Sequence, residues 1–139
     1  MKNVIIKIKG AQGLEDEKSV IELSTEGTLD VRDGVYVLSY TDDAMVPGAH
    51  IKTVLTVLDP NTVTLERFGA LDSKLTVEKG VRSSCYYAVP EGSITLGIYG
   101  KDVRVRLNES GGSIKMVYAV DAEMRPISEN TVIINIKES

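Results

Sequence analysis

Apolar and polar residues alternate with a period of two along most of this chain. Near the amino terminus, Val4, Ile6 and Ile8 alternate with Lys7 and Lys9. A period of two places successive side chains on opposite faces of a β-strand, so one face is apolar and the other is wet. No stretch of a dozen residues has a helical period. The pattern therefore predicts an all-β protein.

Turn residues divide the alternating segments. Asp33-Gly34 is a strong hairpin signal, and Asp59-Pro60-Asn61 and Lys79-Gly80 predict further turns. We also expect turns over Gly10–Lys18 and at Gly100-Lys101-Asp102. About eight to ten short strands with short connections favour a sandwich or a barrel. We predict a single antiparallel up-and-down β-barrel over residues 1–139, because closure removes exposed strand edges.

Composition limits the class of protein. The chain has 139 residues, 42% hydrophobic and 26% charged, with a formal net charge of −4. This mildly acidic balance argues against a general phosphate-backbone binder, so we expect no nucleic-acid partner, although net charge alone does not exclude a local basic patch. Lysines interrupt the amino-terminal segment where a signal peptide needs an apolar core, and no apolar run approaches a membrane span. We expect a cytoplasmic protein without a membrane partner.

Reactive side chains are few. His50 is the one histidine and Cys85 the one cysteine, so the sequence offers no metal-ligand set and no intramolecular disulfide. We interpret His50 as a loop residue and Cys85, which shares a strand face with Tyr87, as part of the core. No nucleophile has a recognisable base beside it. We therefore expect no catalytic residue, no metal site, no cofactor and no enzyme activity.

Arg67 is the most informative polar residue. Alternation places it on the same strand face as Val63 and Leu65, so it points inward if they do. A buried guanidinium needs acceptors, and at a barrel mouth it could bind a carboxylate or phosphate bidentately. Alternatively, Arg67 forms an internal ion pair, or it lies at the rim of the barrel with its guanidinium in solvent.

Tyrosines are nearly the only large side chains available, since the chain has one Phe and no Trp. They either plug the barrel or line a cavity with their hydroxyls. A ligand site would be formed by Arg67, Tyr87, Tyr40 and Thr53. A basic strip of Arg104, Arg106, Lys101 and Lys115 is interpreted as a solvated face, because no aromatic residues are interleaved with it.

Several segments together resemble the YwiB-like family of small, uncharacterised bacterial proteins with a calycin-like, lipocalin-type β-barrel. The resemblance rests, in order, on Arg67-Phe68-Gly69, Tyr87–Gly92 with Leu96-Gly97, Gly111-Gly112 followed by Tyr118, and Ser128-Glu129-Asn130. Tyr40, Asp42 and Thr53 also fit the family pattern, whereas Pro47-Gly48 and His50 depart from it. The resemblance implies the fold and a bacterial cytoplasmic setting, and it brings no activity or catalytic residue.

Two functions remain open. One is a barrel that binds a small, partly apolar or anionic ligand at its mouth, with the four residues named above as anchors. The other is a structural or regulatory module that acts through protein contacts or as a homo-oligomer. It is suggested by aliphatic residues on both faces of Val54–Leu58 and Val132–Ile136. An enzyme has the least support, although carboxylates and tyrosines converge in space rather than along a sequence.

Overall fold

Ten β-strands form the part of the chain that the structure describes. The computed structural model describes residues 2–14, 17–42, 51–68, 73–89 and 92–139, and for 14, 17–18, 42, 51, 73, 86–89 and 92–94 it describes the backbone alone. These ranges contain no helix that is long and apolar enough to cross a membrane. The strands are β1 Lys2–Leu14, β2 Glu17–Arg32, β3 Val35–Asp42, β4 Ile51–Asp59, β5 Thr62–Phe68, β6 Ser73–Glu78, β7 Arg82–Val89, β8 Gly92–Asn108, β9 Gly111–Ala122 and β10 Arg125–Glu138.

The strands close into an up-and-down barrel. Each strand pairs antiparallel with its neighbour in sequence, and β1 pairs with β10 to complete the circle. The predicted all-β barrel is thus confirmed. We call the end at which odd-numbered strands finish the mouth, and the other end the base.

Three of the predicted turns have different outcomes: one forms as expected, one is shorter than expected and one is absent. Asp33 and Gly34 join β2 to β3 with φ values of 51° and 80°, the left-handed region that such a tight hairpin needs. The expected turn over Gly10–Lys18 is shorter than predicted, because β1 runs on to Leu14 with Gly10 and Gly13 paired on both sides. The expected turn at Gly100-Lys101-Asp102 was wrong: β8 continues through it with a register shift, a bulge that bends the strand without ending it.

Apolar side chains fill the base and the middle of the barrel. Five leucines are successive cross-strand partners and form a leucine row across five strands: Leu29, Leu38, Leu55, Leu65 and Leu75. Nearer the base, the hydroxyl of Tyr36 on β3 donates to the carbonyl of Leu107 on β8, 3.1 Å away. These strands lie on opposite sides of the circle, so this tyrosine spans the interior. The tyrosines were expected either to fill the barrel interior or to line a cavity, and Tyr36 fills the interior.

The join between β6 and β7 is held largely by side chains. Ser73 pairs with Tyr87, but the described segments 74–78 and 82–86 form no further ladder pair. Instead, Ser83 Oγ donates to the carbonyl of Thr76 at 3.0 Å, and Cys85 Sγ donates to the carbonyl of Lys74 at 2.7 Å. Two side chains thus replace backbone donors in this part of the sheet.

An ion pair fastens β7 to β9 across the intervening strand. Arg82 Nη2 and Nε lie 2.7 Å and 3.1 Å from the two carboxylate oxygens of Asp121. A Cβ at Gly97 of β8 would collide with both side chains, so only glycine leaves room there for the ion pair to cross β8. The hydrogen bond from Arg82 lowers the pKa of the Asp121 carboxyl and raises the pKa of the guanidinium.

Candidate functional site

The four predicted ligand residues lie in one row of cross-strand partners near the mouth of the barrel. Tyr40 pairs with Thr53, and Thr53 pairs with Arg67. Arg67 pairs with Ser73, which in turn pairs with Tyr87. We call these five residues the mouth row. Cross-strand partners lie about 5 Å apart, so the register collects on one wall residues that are distant along the chain.

Burial shows that the three residues of this row with described side chains face inward. Thr53 is 1% exposed, and Arg67 is half-buried, with an accessible area below 1 Å² at its Nε atom. Tyr40 is half-buried and packs against the apolar core. The prediction that Arg67 shares the inner face of Val63 and Leu65 is therefore correct. Tyr87 is placed in the row by its backbone pairing alone.

Gly27 makes room for the row at its β2 end. It is the cross-strand partner of Tyr40. A Cβ there would collide with the carbonyl of Ser39 and with the Ile6 side chain, and would crowd Tyr40. Glycine thus allows β2 and β3 to approach closely beside Tyr40.

A second polar group lies on the opposite wall. Ser128 and Asn130 of β10 are 7% and 8% exposed, and the Asn130 amide donates to Ser128 Oγ at 3.0 Å. β10 and β5 are diametrically opposed in the barrel, and both residues lie toward the mouth end of β10. The sequence analysis did not assign these residues to a site. The sequence did contain a signal: along β10, the residues at inward-facing positions change from aliphatic at Val132 and Ile134 to polar at Ser128 and Asn130.

An open cleft borders the mouth row. β2 pairs with β3 as far as Gly27 and Tyr40, and beyond that pair Thr25 and Glu26 of β2 pair with β1. A cleft of about 750 Å³ lies at this fork, lined by Thr25, Glu26, Gly27, Thr28, Ser39, Tyr40, Thr41 and Lys52. Solvent space therefore reaches Tyr40, in contrast to the filled middle of the barrel.

The remaining candidates lie elsewhere or outside the described residues. Cys85 is buried, as predicted, and burial raises the pKa of its thiol above the ordinary value. His50 and Pro47-Gly48 lie outside the described residues. Within the described ranges, no group of three His, Cys, Asp or Glu residues is placed to hold a metal ion.

Comparison with known proteins identifies the family. The model of the family described as "Domain of unknown function (DUF1934)" matches residues 6–134. The chain belongs to the DUF1934 family. A solved structure, the crystal structure of ywiB protein from Bacillus subtilis, superposes with a TM-score of 0.87 and 20% sequence identity. The match covers 99% of this chain and 92% of that one. No curated protein matches the sequence. The expected YwiB-like membership is thereby confirmed, and at this identity the structural likeness establishes the barrel fold of this DUF1934 protein.

Proposed function

We propose that this protein binds a small molecule with an anionic group and a short apolar part at the barrel mouth, without catalysing a reaction on it. The observation that supports this most directly is the mouth row, in which Arg67 lies beside Thr53, and Thr53 beside Tyr40. A guanidinium can donate two parallel hydrogen bonds to a carboxylate or phosphate, and hydroxyl groups can orient the same ligand.

The filled interior limits what such a ligand can be. The leucine row lies two residues below the mouth row on β4 and β5, which is about 7 Å. An apolar part of a few carbons would reach these leucines without displacing them. The amide of Asn130 on the opposite wall offers a hydrogen bond to an uncharged polar atom. A larger ligand would have to extend into the cleft beside Tyr40.

A titration with simple amphiphiles tests the proposal. Octanoate and octyl phosphate supply the anionic head and a chain that reaches the leucine row, with its excess length accommodated in the cleft beside Tyr40, and octanol is the neutral control of the same chain length. Amide chemical shifts should change at the mouth ends of β3, β4 and β5, with octanol at least about tenfold weaker because it lacks the charge–guanidinium hydrogen bonds.

Variants at Arg67 complete the test. Arg67→Gln should weaken octanoate binding about tenfold or more, while Arg67→Lys keeps part of the affinity because it keeps the charge. Arg32→Gln, an exposed arginine at the base, is the matched control and should bind as the wild type does. Equal binding of octanol, shifts confined to the base, or an unchanged Arg67→Gln variant would reject the proposal.

A second candidate function, self-association, is favoured by the mouth half of β2. Within the described residues, Ser19–Glu26 pair with β1 alone, and the consecutive residues Val20 and Ile21 are 59% and 67% exposed. Exposure on both faces, next to a strand edge that pairs with no described residue on that side, is typical of a surface that another strand covers. Leu58, in one of the segments that first suggested association, is also exposed.

The mass of the protein in solution tests this candidate. Light scattering after size exclusion should give a dimer that Ile21→Glu converts to a monomer. Ile127→Glu, at an exposed isoleucine of β10, should leave the dimer intact. A monomer at every concentration would reject self-association.

A further inference from the structure

We propose that the outer surface of β1, β10, β9 and β8 contacts the phosphate backbone of a nucleic acid. Six cations lie at outward positions on these four adjacent strands, and we call this surface the basic face: Lys7, Lys9, Arg104, Arg106, Lys115 and Lys137. Five of them are exposed and Lys115 is half-buried. This proposal is independent of the ligand site at the mouth.

Strand pairing arranges these cations in three neighbouring rows. The first row runs from Lys9 through Ile133 and Lys115 to Arg104. The next row has Lys7 at one end and Arg106 at the other, and the third contains Lys137. With strands about 4.8 Å apart and about 3.4 Å per residue, the basic face measures about 15 Å in each direction.

Closure of the barrel creates the basic face. The basic strip predicted from the sequence consists of four residues from the carboxy-terminal half of the chain: Arg104, Arg106, Lys101 and Lys115. Pairing of β1 with β10 adds Lys7 and Lys9 from the amino terminus. Lys101, by contrast, is neutralised by Glu129 at 2.9 Å and lies outside the three rows.

Most of this positive charge is not neutralised by the protein itself. Lys9 lies 3.9 Å from Glu22, and Arg104 lies 2.9 Å from Asp102. In the described part of the chain, the four other cations of the basic face form no ion pair. This surface therefore carries four cations without an ion pair among the described residues, although the net charge of the protein is −4.

One cross-strand pair within the basic face places two positive charges opposite each other. Arg104 and Lys115 are direct partners on β8 and β9. Like charges opposite each other destabilise a sheet, and their presence is explained if the surface serves an anionic partner.

The composition of the surface selects the class of partner. Protein interfaces are depleted in lysine, whereas surfaces that bind nucleic acids are rich in lysine and arginine. Asn135 and Ser113, which separate Lys7 from Arg106, are also common donors to phosphate oxygens. Since these rows carry no aromatic residue to stack on bases, we expect contact with the backbone and no sequence preference.

Fluorescence anisotropy with labelled duplexes tests the proposal. At low salt, a DNA or RNA duplex of about 24 base pairs should bind with a Kd of about 1–100 µM, independent of sequence. Three to four phosphate contacts predict a slope of about −3 in a plot of log affinity against log salt concentration. Lys7→Glu with Lys115→Glu should weaken binding about tenfold or more.

The control has the same change in net charge. Lys74→Glu with Arg125→Glu alters two exposed cations outside the basic face and should change the Kd less than about twofold. In addition, Lys115→Thr should weaken binding yet keep or raise the Tm, because it removes the like-charge pair.

Three results would overturn the proposal. The first is the absence of binding at about 100 µM protein and low salt. The second is an equal loss in both double variants, which would reflect net charge alone. The third is tighter binding to anionic phospholipid vesicles or polyglutamate than to either duplex, which would assign the basic face to another class of partner.

Discussion

Replacing Ser83 by alanine tests whether side chains hold β6 against β7. Ser83 Oγ donates to the carbonyl of Thr76 at 3.0 Å, in a region where the described backbones form no ladder pair. The change removes one neutral hydrogen bond and leaves a half-buried carbonyl without that donor. Such a loss costs about 1–2 kcal/mol, toward the lower end where water can reach the carbonyl. For a chain of 139 residues, this corresponds to a fall in Tm of about 3–7 °C.

Urea unfolding measures this loss, and the neighbouring serine supplies the control. Ser84 is exposed on the outer face and forms no side-chain hydrogen bond to the described part of the chain, so Ser84→Ala should change the free energy of unfolding by less than about 0.5 kcal/mol. Hydrogen exchange of β6 amides should also accelerate in Ser83→Ala, because the local opening of this join becomes easier.

Equal stability of the two alanine variants would contradict this role of the Ser83 hydrogen bond. Uniform acceleration of exchange over the barrel in Ser83→Ala would contradict it as well, since the side chain would then contribute to global stability without being specific to the join. Ser83→Thr, which keeps the hydroxyl, should recover most of the loss, and a variant as unstable as Ser83→Ala would count against the role of the hydrogen bond.

Three further predictions concern the core, the buried thiol and the ion pair over Gly97. Leu55→Ala should lower the free energy of unfolding by about 3–4 kcal/mol, because Leu55 is 0% exposed at the centre of the leucine row. Urea unfolding measures this loss, and a value below about 1 kcal/mol would contradict the packing of Leu55. Cys85 should react with iodoacetamide far more slowly in the native than in the unfolded protein, because burial raises the pKa of its thiol and blocks access; equal rates would contradict its burial. The pKa of Asp121 is lowered by Arg82, so the pair stabilises the fold above the ordinary carboxyl pKa of about 4 and this contribution disappears as the pH falls through the lowered pKa. The stability difference between wild type and Asp121→Asn should therefore vanish at low pH, and a difference that persists in acid would show another origin.

Local sequence was sufficient to predict most strands and the inner face of each. Alternation depends on the backbone of a strand alone, so the common face of Val63, Leu65 and Arg67 could be predicted before any partner strand was known. The same holds for the Asp33-Gly34 turn, where two residues with positive φ are needed. Prediction failed at Gly100, where β9 continues to pair with β8 and holds the chain in the sheet through a residue that alone suggests a turn.

By itself, then, the sequence determined that this chain forms alternating strands and that Arg67 shares a strand face with Val63 and Leu65. Only the tertiary structure decided which residues are neighbours. The strand register placed Tyr40, Thr53 and Arg67 in one row. Pairing of β1 with β10 placed Lys7 and Lys9 on the same outer surface as Lys115. The physical reason is that a period of two is set within each strand, whereas register and closure are set by contacts between strands that are far apart along the chain.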